Sequence, residues 1–544
     1  MLTEKQLQVL VDELPLDDLV GQVLNYEFNG SHQKWEWIEE TIRTTKPGSV
    51  FYGCMDEAFC AKIRAVQDAV CKVPTIYSAD VENGPGGGGS LNQALPKPMA
   101  WGAVDDPDLI ERAHHETAKI CRKMHRHIPL APVVDINFNF RNCLVNNRAV
   151  SDDPDVVIRN CLAAVRGFQK DGMMAACAKH FPGDGVDERN QHYMTTVNSL
   201  SKEEWMDTYG RVYKAMIDEG VMSIMVAHIA LPAFDEKVDD VIGYPPATLS
   251  KNLMTGLLKG TLGFDGCIIS DAMSMIGVCA ICEEEHLAVE FLKAGGDMVL
   301  FALPTDAAHI KEAVLSGELP IERLKDAVLR VLRMKNKIGL FHEEEAIQAK
   351  LATADLTVID ALDREIAERS VTVIRNAHGL FPQKALKPGA RILNVVIQAE
   401  NAKGTSFNNV PIVAMNEELE ARGYNVTTLI NPKHGQVRGA ENDYDLVIMS
   451  LRIDSSNYQG GTLRIGWGQV MALWRGYLMR NKNMVFVSFG DPYKLYDYPF
   501  AATYVNMYSC TESSQRAFVR ALLGEIEVTG KSPVAMEGFF AREV

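Results

Sequence analysis

Over residues 1–340, short apolar runs alternate with longer stretches whose apolar positions recur at helical spacing. The short runs, rich in Val, Ile, Ala and Met, read as strands buried on both faces. They fall at 49–52, 75–79, 129–134, 174–178, 221–226, 266–270 and 297–301. Helical stretches lie between them at 106–125, 153–170, 201–218 and 283–294. Ser201 with Glu204 three residues on makes a capping box for one of these helices. Repeated strand–helix units over this length predict an α/β fold, a (β/α) TIM-like barrel with room for an irregular or missing unit.

The pattern changes after a basic helix at 323–337. Glu343-Glu344-Glu345 through Ala354 is polar and weakly patterned, so 341–370 reads as a linker. A second alternation follows, with strands at 392–397, 426–429, 446–451, 484–488 and 502–505 and helices at 417–422 and 511–523. Residues 371–544 therefore read as an α/β sandwich domain, after a barrel domain at 1–340.

Composition narrows the class. The chain has 544 residues, 47% hydrophobic and 23% charged, as in a soluble globular protein with large cores. No apolar run approaches the roughly 20 residues that span a bilayer. Met1-Leu2-Thr3-Glu4-Lys5 lacks a basic segment followed by an apolar one, so a cytoplasmic location is expected. A formal net charge of −16 disfavours a general nucleic-acid binder. Eleven scattered cysteines suit reduced thiols, and the single Cys279-Ala280-Ile281-Cys282 reads as buried apolar thiols rather than a zinc or redox site. Gly84-Pro85-Gly86-Gly87-Gly88-Gly89 lacks a following Gly-Lys-Ser/Thr and is not a phosphate loop. Asp, Glu and His do not recur at ligand spacings, so no metal and no cofactor are expected.

The stretch Lys179-His180-Phe181-Pro182-Gly183-Asp184-Gly185-Val186-Asp187-Glu188-Arg189-Asn190-Gln191-His192 carries most of the candidate chemistry. Lys179 and His180 end a buried strand; Pro182, Gly183 and Gly185 forbid a helix and force a loop, which closes on His192. Other strand ends also bear polar groups: Asp80 after 75–79, Arg148 in the loop after Val134, His228 after 221–226 and Asp271 after 266–270. In a barrel these reach one mouth, and carboxylates with Lys, Arg and His there suit the hydroxyls of a sugar.

These segments resemble glycoside hydrolase family 3, through nearly the whole chain. Ser78-Ala79-Asp80-Val81-Glu82-Asn83-Gly84 resembles the family's sugar-binding turn, and Leu130-Ala131-Pro132-Val133-Val134-Asp135 is similar to one of its strands. Asn147-Arg148 falls where a substrate-binding arginine lies. Lys179-His180-Phe181-Pro182-Gly183 resembles the family hallmark, and Ile269-Ser270-Asp271-Ala272-Met273-Ser274-Met275 its nucleophile signature. Ala521-Leu522-Leu523-Gly524-Glu525 with Thr529-Gly530-Lys531-Ser532-Pro533-Val534 resembles the close of its α/β sandwich.

The resemblance implies retaining cleavage of a terminal β-glucosyl or β-N-acetylglucosaminyl unit. Asp271 would be the nucleophile, and Asp80, Arg148, Lys179, His180 and His228 would bind sugar. Lys179 or Arg148 would hold the nucleophile ionised. Members with this loop mostly resemble β-N-acetylglucosaminidases and use a loop histidine, backed by an aspartate two residues earlier, as acid/base. His192 fits the histidine, and an imidazole with a free pKa of about 6.5 both gives and takes protons near neutrality. The sequence departs at the other position, which is Asn190. Asp184 or Asp187 is an alternative partner for the histidine.

With Asn190 one formal charge fewer would face an incoming anion, and Arg189 adds a candidate positive contact. The reading therefore leans to inorganic phosphate as co-substrate over water. Met222, Met225 and the loop after Asp271 are candidates for shaping the pocket at the sugar's 2-position. Two other classes stay open: an aldolase-like enzyme with Lys179 as Schiff-base former, and a silent sugar-binding protein in which Asn190 marks a lost acid/base pair. In the second half, Tyr458-Gln459-Gly460-Gly461 is the nearest candidate loop for a wall of the site.

Overall fold

The computed structural model describes the chain apart from residues 30–31, 54–55, 89–90, 343–344, 399–409, 434, 438–439, 454–464, 466, 472–482 and 537–544. The turn Tyr458-Gln459-Gly460-Gly461 lies outside the described residues. Two compact units form. The first comprises Met1–Asn92, Pro107–Ile136 and Val157–Leu356; the second comprises Gln93–Asp106, Asn137–Val156 and Thr357–Val544. The division is not serial, because two short segments from the first third of the chain pack with its C-terminal part.

The first unit is a closed barrel of parallel staves. Strands β1 (Leu24–Glu27), β2 (Ser49–Phe51) and β3 (Ile76–Ser78) pair in sequence. Strands β4 (Cys177–Phe181), β5 (Ser223–Val226) and β6 (Cys267–Ser270) form a second run, and β7 (Val299–Leu300) returns to β1. Residues 127–134 supply the stave between β3 and β4, through parallel bridges Ser78–Ile128 and Val133–Lys179. A bridge from Ile269 to Met298 closes the ring. Pro129 and Pro132 lack N–H donors, which is why this stave is held by isolated bridges and not a full ladder.

Inside, Phe51, Ile76, Leu130, Cys177, Met225, Ile269 and Leu300 form a packed core. Val331, Met334 and Ile338, from helix Ile321–Lys337 and the residue after it, join that core. The helix also carries Lys335, fully buried with its Nζ donating to Gln22 Oε1 at 2.7 Å.

β1 is the stave that the hydrophobic pattern misses. Its residues alternate apolar and polar, Leu24-Asn25-Tyr26-Glu27, with no apolar run. The polar Asn25 points inward all the same, its Nδ2 donating to Ser78 Oγ at 2.9 Å, a buried hydrogen bond that offsets part of its desolvation.

The second unit is an α/β sandwich. Its strands are β8 (Thr372–Asn376), β9 (Arg391–Gln398), β10 (Asn425–Ile430), β11 (Leu446–Arg452), β12 (Met484–Ser488) and β13 (Thr503–Asn506). They lie in the order β8-β13-β12-β11-β9-β10, parallel except for β8. Every residue of β11 is buried, as a central parallel strand requires. Ile392, Ile448, Val487 and Val505 pack with Met415, Leu419, Phe518 and Leu522 from helices Ala414–Glu420 and Glu512–Leu522.

Part of the stretch expected as a linker is helical, at Glu345–Leu351 and Leu356–Arg369. No helix among the described residues is long and apolar enough to cross a membrane.

Candidate active site

Asp271 follows β6 directly and is half-buried. Its amide donates to Val226 O at 2.7 Å, and its Oδ1 accepts from the Ala272 amide at 2.8 Å. Burial pushes its carboxyl up, but His180, His228, the Ala272 amide and His192 together pull it below the ordinary aspartate value. After burial, His180 acts most strongly on this carboxyl, and neither Lys179 nor Arg148, expected in that role, is among the groups that lower it.

Lys179 is spent elsewhere. Its side chain is 4% exposed, and its Nζ lies 2.7 Å from Glu82 Oε1 and 3.3 Å from Asp80 Oδ1. A lysine bridged by two carboxylates is poorly placed as a Schiff-base nucleophile. Asp80 is 56% exposed and presents its carboxylate to solvent. Glu27, at the end of β1, is raised by burial and by repulsion from Asp80, with His32 pulling the other way.

His180 is held by Asp135, which is fully buried. The His180 Nδ1–H donates to Asp135 Oδ2 at 2.7 Å, while Oδ1 accepts the amides of His180 at 3.2 Å and Asp184 at 2.8 Å. Asp135 was not among the expected site residues. The signal was present, since a carboxylate closing the apolar run Pro132-Val133-Val134 is costly to bury unless it is hydrogen-bonded.

His228, expected to bind sugar, has both ring nitrogens on protein groups. Its buried ring spans Thr248 Oγ1 (3.0 Å from Nδ1) and Ala272 O (3.0 Å from Nε2). The carbonyl can only accept, so Nε2 carries the proton and Nδ1 accepts from the threonine. Burial lowers its pKa despite nearby Asp271, so the ring is neutral. Its two nitrogens are engaged by protein, and it fixes the peptide that follows Asp271.

The loop after β4 is locked in place. Gly183 and Gly185 have φ of 117° and 104°. A Cβ would lie 2.2 Å from the Tyr209 ring at the first and 2.0 Å from Ile136 O at the second. Asn198 Nδ2 donates to Gly183 O at 3.0 Å, Trp205 Nε1 to Pro182 O at 2.8 Å, and the His228 amide to Gln191 Oε1 at 3.1 Å. Ile276 N donates to His192 O at 3.1 Å, tying the loop to the segment beyond Asp271.

At its end, the Asn190 carbonyl oxygen accepts from the His192 amide at 2.9 Å and from His192 Nδ1 at 2.7 Å. This leaves Nε2 as the basic nitrogen of a neutral ring. The two loop aspartates are engaged elsewhere. Asp187 Oδ2 accepts from Arg189 Nη2 at 2.6 Å and from the Val197 amide at 2.9 Å. Burial would raise Asp187, but the Arg189 guanidinium and two amides bring it below its usual value. Asp184 accepts from the Gly185 amide at 2.6 Å and from Gln191 at 3.5 Å. Asn190 is thus the partner of His192, and Arg189 is committed to Asp187.

Arg148 belongs to the second unit, where its Nη1 donates to Leu144 O at 3.4 Å and the neighbouring Asn147 donates to Tyr508 O at 3.2 Å. Met225 is in the barrel core and Met222 packs against it, so neither shapes a sugar pocket. Cys279 and Cys282 are half-buried and donate separately to Met273 O and Glu283 O.

A closed parallel barrel with a stabilised carboxylate, a bridged lysine and an oriented loop histidine at its strand ends has the make-up of a glycoside-cleaving enzyme. Residues 16–334 match the glycosyl hydrolase family 3 N terminal domain. A β-N-acetylglucosaminidase/β-glucosidase of Cellulomonas fimi is 30% identical over 512 residues, covering 92% of this chain and 90% of that protein. The solved structure of the β-glucoside phosphorylase BglX superposes with a TM-score of 0.86 at 30% identity, over 98% of this chain and 95% of that one. A family 3 β-N-acetylglucosaminidase from Paenibacillus sp. str. FPU-7 shares the fold, with a TM-score of 0.82 at 24% identity and coverage of 96% and 99%. The chain belongs to glycosyl hydrolase family 3.

Proposed function

We propose that the protein cleaves a terminal β-glucosyl or β-N-acetylglucosaminyl unit with retention and transfers it to inorganic phosphate, releasing a sugar 1-phosphate. Asp271 attacks the anomeric carbon while His192 protonates the leaving oxygen from Nε2. The glycosyl ester on Asp271 is then opened by phosphate, and Asp271 leaves as carboxylate. Asp80, Lys179 and His180 hold the sugar hydroxyls.

The observation that carries the acceptor is the 2.7 Å contact between Asn190 and His192. Once the imidazole has given up its proton, histidine and amide together bear no negative charge. A carboxylate acid/base, or a histidine–aspartate pair, would repel a phosphate dianion at that face. The likeness to the β-glucoside phosphorylase supports this reading. Hydrolysis is the second reading, favoured by the similarity to the Cellulomonas fimi enzyme, whose name records glycosidase activity.

Aryl β-glucoside and aryl β-N-acetylglucosaminide, each assayed with and without millimolar phosphate, test the proposal. Phosphate-dependent acceleration with sugar 1-phosphate as product is expected, and the better donor names the sugar. Free sugar at a rate indifferent to phosphate refutes the transfer. Binding of either aryl glycoside without turnover would mark a silent sugar-binding protein.

A further inference from the structure

The catalytic groups gather at the carboxyl ends of the staves. Near the other end of the same barrel, around Thr75, Tyr77 and His127, lies a second concavity of about 760 Å³. Its walls come from helices Glu57–Val70, Pro107–Lys123 and Glu345–Leu351.

This cavity is cationic in a chain whose net charge is −16. Arg64, Arg122, Lys123, His125 and His127 line it, and Asp68 is the one carboxylate among the lining residues. Basic residues at the end of helix Pro107–Lys123 complement the helix dipole, which accounts for Arg122 and Lys123. It does not account for Arg64, which projects from the middle of another helix.

Arg64 Nη2 is paired with Glu57 at 2.6 Å, and the Arg64 guanidinium and the Tyr77 hydroxyl both meet the buried Tyr52 hydroxyl. The chain also leaves helix Pro107–Lys123 through His125 at a φ of 56°, a position at which glycine is the usual residue. Burial first, and then Arg122, His125, Lys335 and Arg64, hold His127 well below its ordinary value, consistent with a concentration of positive charge. The rest of the lining is apolar, including Ala61, Ala65, Pro74 and Leu351.

We infer that this cavity binds a small organic phosphate, the phosphate held by Arg64, Lys123 and His125 and the apolar body lying on Ala65 and Leu351. A planar or ring-bearing phosphomonoester of nucleotide or sugar-phosphate size fits a site with one cationic and one apolar wall. The inference does not depend on which acceptor the barrel mouth uses.

Isothermal titration of the full chain with AMP, glucose 1-phosphate and inorganic phosphate tests it. At least one organic phosphate should bind saturably and more tightly than inorganic phosphate, and which one does so names the source. The double variant K123E/H125E should weaken that binding at least tenfold, as should A65W, which fills the cavity from an exposed helix position. H192A should leave it unchanged. A thermal melt checks that each variant folds; if the charge reversal does not, A65W carries the test.

Three results would overturn the inference: no saturable binding at millimolar ligand, organic phosphates no tighter than inorganic phosphate, or binding that survives the cavity variants. Loss of binding in H192A would also overturn it, by assigning the ligand to the barrel mouth.

Discussion

Asn190 Oδ1 receives both the backbone amide and Nδ1 of His192, at 2.9 and 2.7 Å, so a single neutral carbonyl orients the ring. Placing a carboxylate there changes charge with little change of shape. One unit charge 4 Å from another is worth about 1 kcal/mol in water and about 4 kcal/mol at an effective dielectric of 20. N190D should therefore raise the ratio of free sugar to sugar 1-phosphate by roughly tenfold or more, given about 1.4 kcal/mol per decade. Product analysis at fixed phosphate measures it, and an unchanged ratio would remove the electrostatic basis for phosphate transfer.

His192 itself is tested through the leaving group. H192A should lose roughly 10²- to 10⁴-fold in kcat/KM on a nitrophenyl glycoside, the usual contribution of general acid–base catalysis. The loss should shrink to a few-fold on a dinitrophenyl glycoside, whose departure needs no proton. Equal losses on both would make His192 structural.

Asp271 is held below the ordinary aspartate value despite its burial. A depressed carboxyl stays ionised as pH falls through the usual carboxylate range, so nucleophilic attack should persist to about pH 4 when aglycone departure needs no acid. The pre-steady-state burst on a dinitrophenyl glycoside reports this step. D271N should abolish the burst and lower kcat by about 10⁴-fold or more.

For His228, bonded to Thr248 and Ala272, a split between kcat and KM is expected. H228A frees the Ala272 carbonyl and loosens the peptide beside the nucleophile, so kcat should fall by about 10- to 100-fold with KM changed less. Burial already keeps this ring neutral near pH 7, so the shape of the pH profile should be retained. A large rise in KM with intact kcat would instead make His228 a sugar ligand.

Lys335 gives a stability prediction remote from the chemistry. Burial lowers it from 10.5 to about 7. Between pH 7 and 10.5 the unfolded chain binds more protons than the folded one, so stability rises with pH across that window. Below pH 7 the cost of the buried charge is fully present. K335M should raise Tm most at pH 7 and below, and the gain should shrink towards pH 10.5. Loss of the bond to Gln22 opposes the gain equally at every pH. A Tm difference independent of pH would refute the assignment.

Most of the barrel was legible in the sequence because parallel staves are buried on both faces and leave continuous apolar runs, as in Cys267–Ser270. β1 was not, because Asn25 and Glu27 break the run and the hydrogen bond Asn25 Nδ2 makes is to Ser78, far along the chain. The placement of Arg148 was hidden for a related reason. Its neighbour Asn147 bonds Tyr508 and nearby Ser151 bonds Pro533 at 2.5 Å, partners more than 350 residues away that no local pattern encodes. Asp271, His192 and Lys179 could be found as residue types at strand ends and loops. Their partners could not, since the choice of Glu82 for Lys179 and of histidines for Asp271 depends on which strand ends become neighbours when the ring closes.

The loop from Gly183 to Asn198 is fastened through Asp135, Trp205, His228 and Ile276, all within the barrel unit. On the proposed roles, its acid/base is therefore portable. The histidine, the residue that orients it and the glycines that shape its path travel as one short insert, and most of the anchors it needs are backbone groups or buried side chains of the host. A lineage, or a designer, could exchange acceptor preference by replacing this insert while leaving the nucleophile and sugar-holding strand ends untouched.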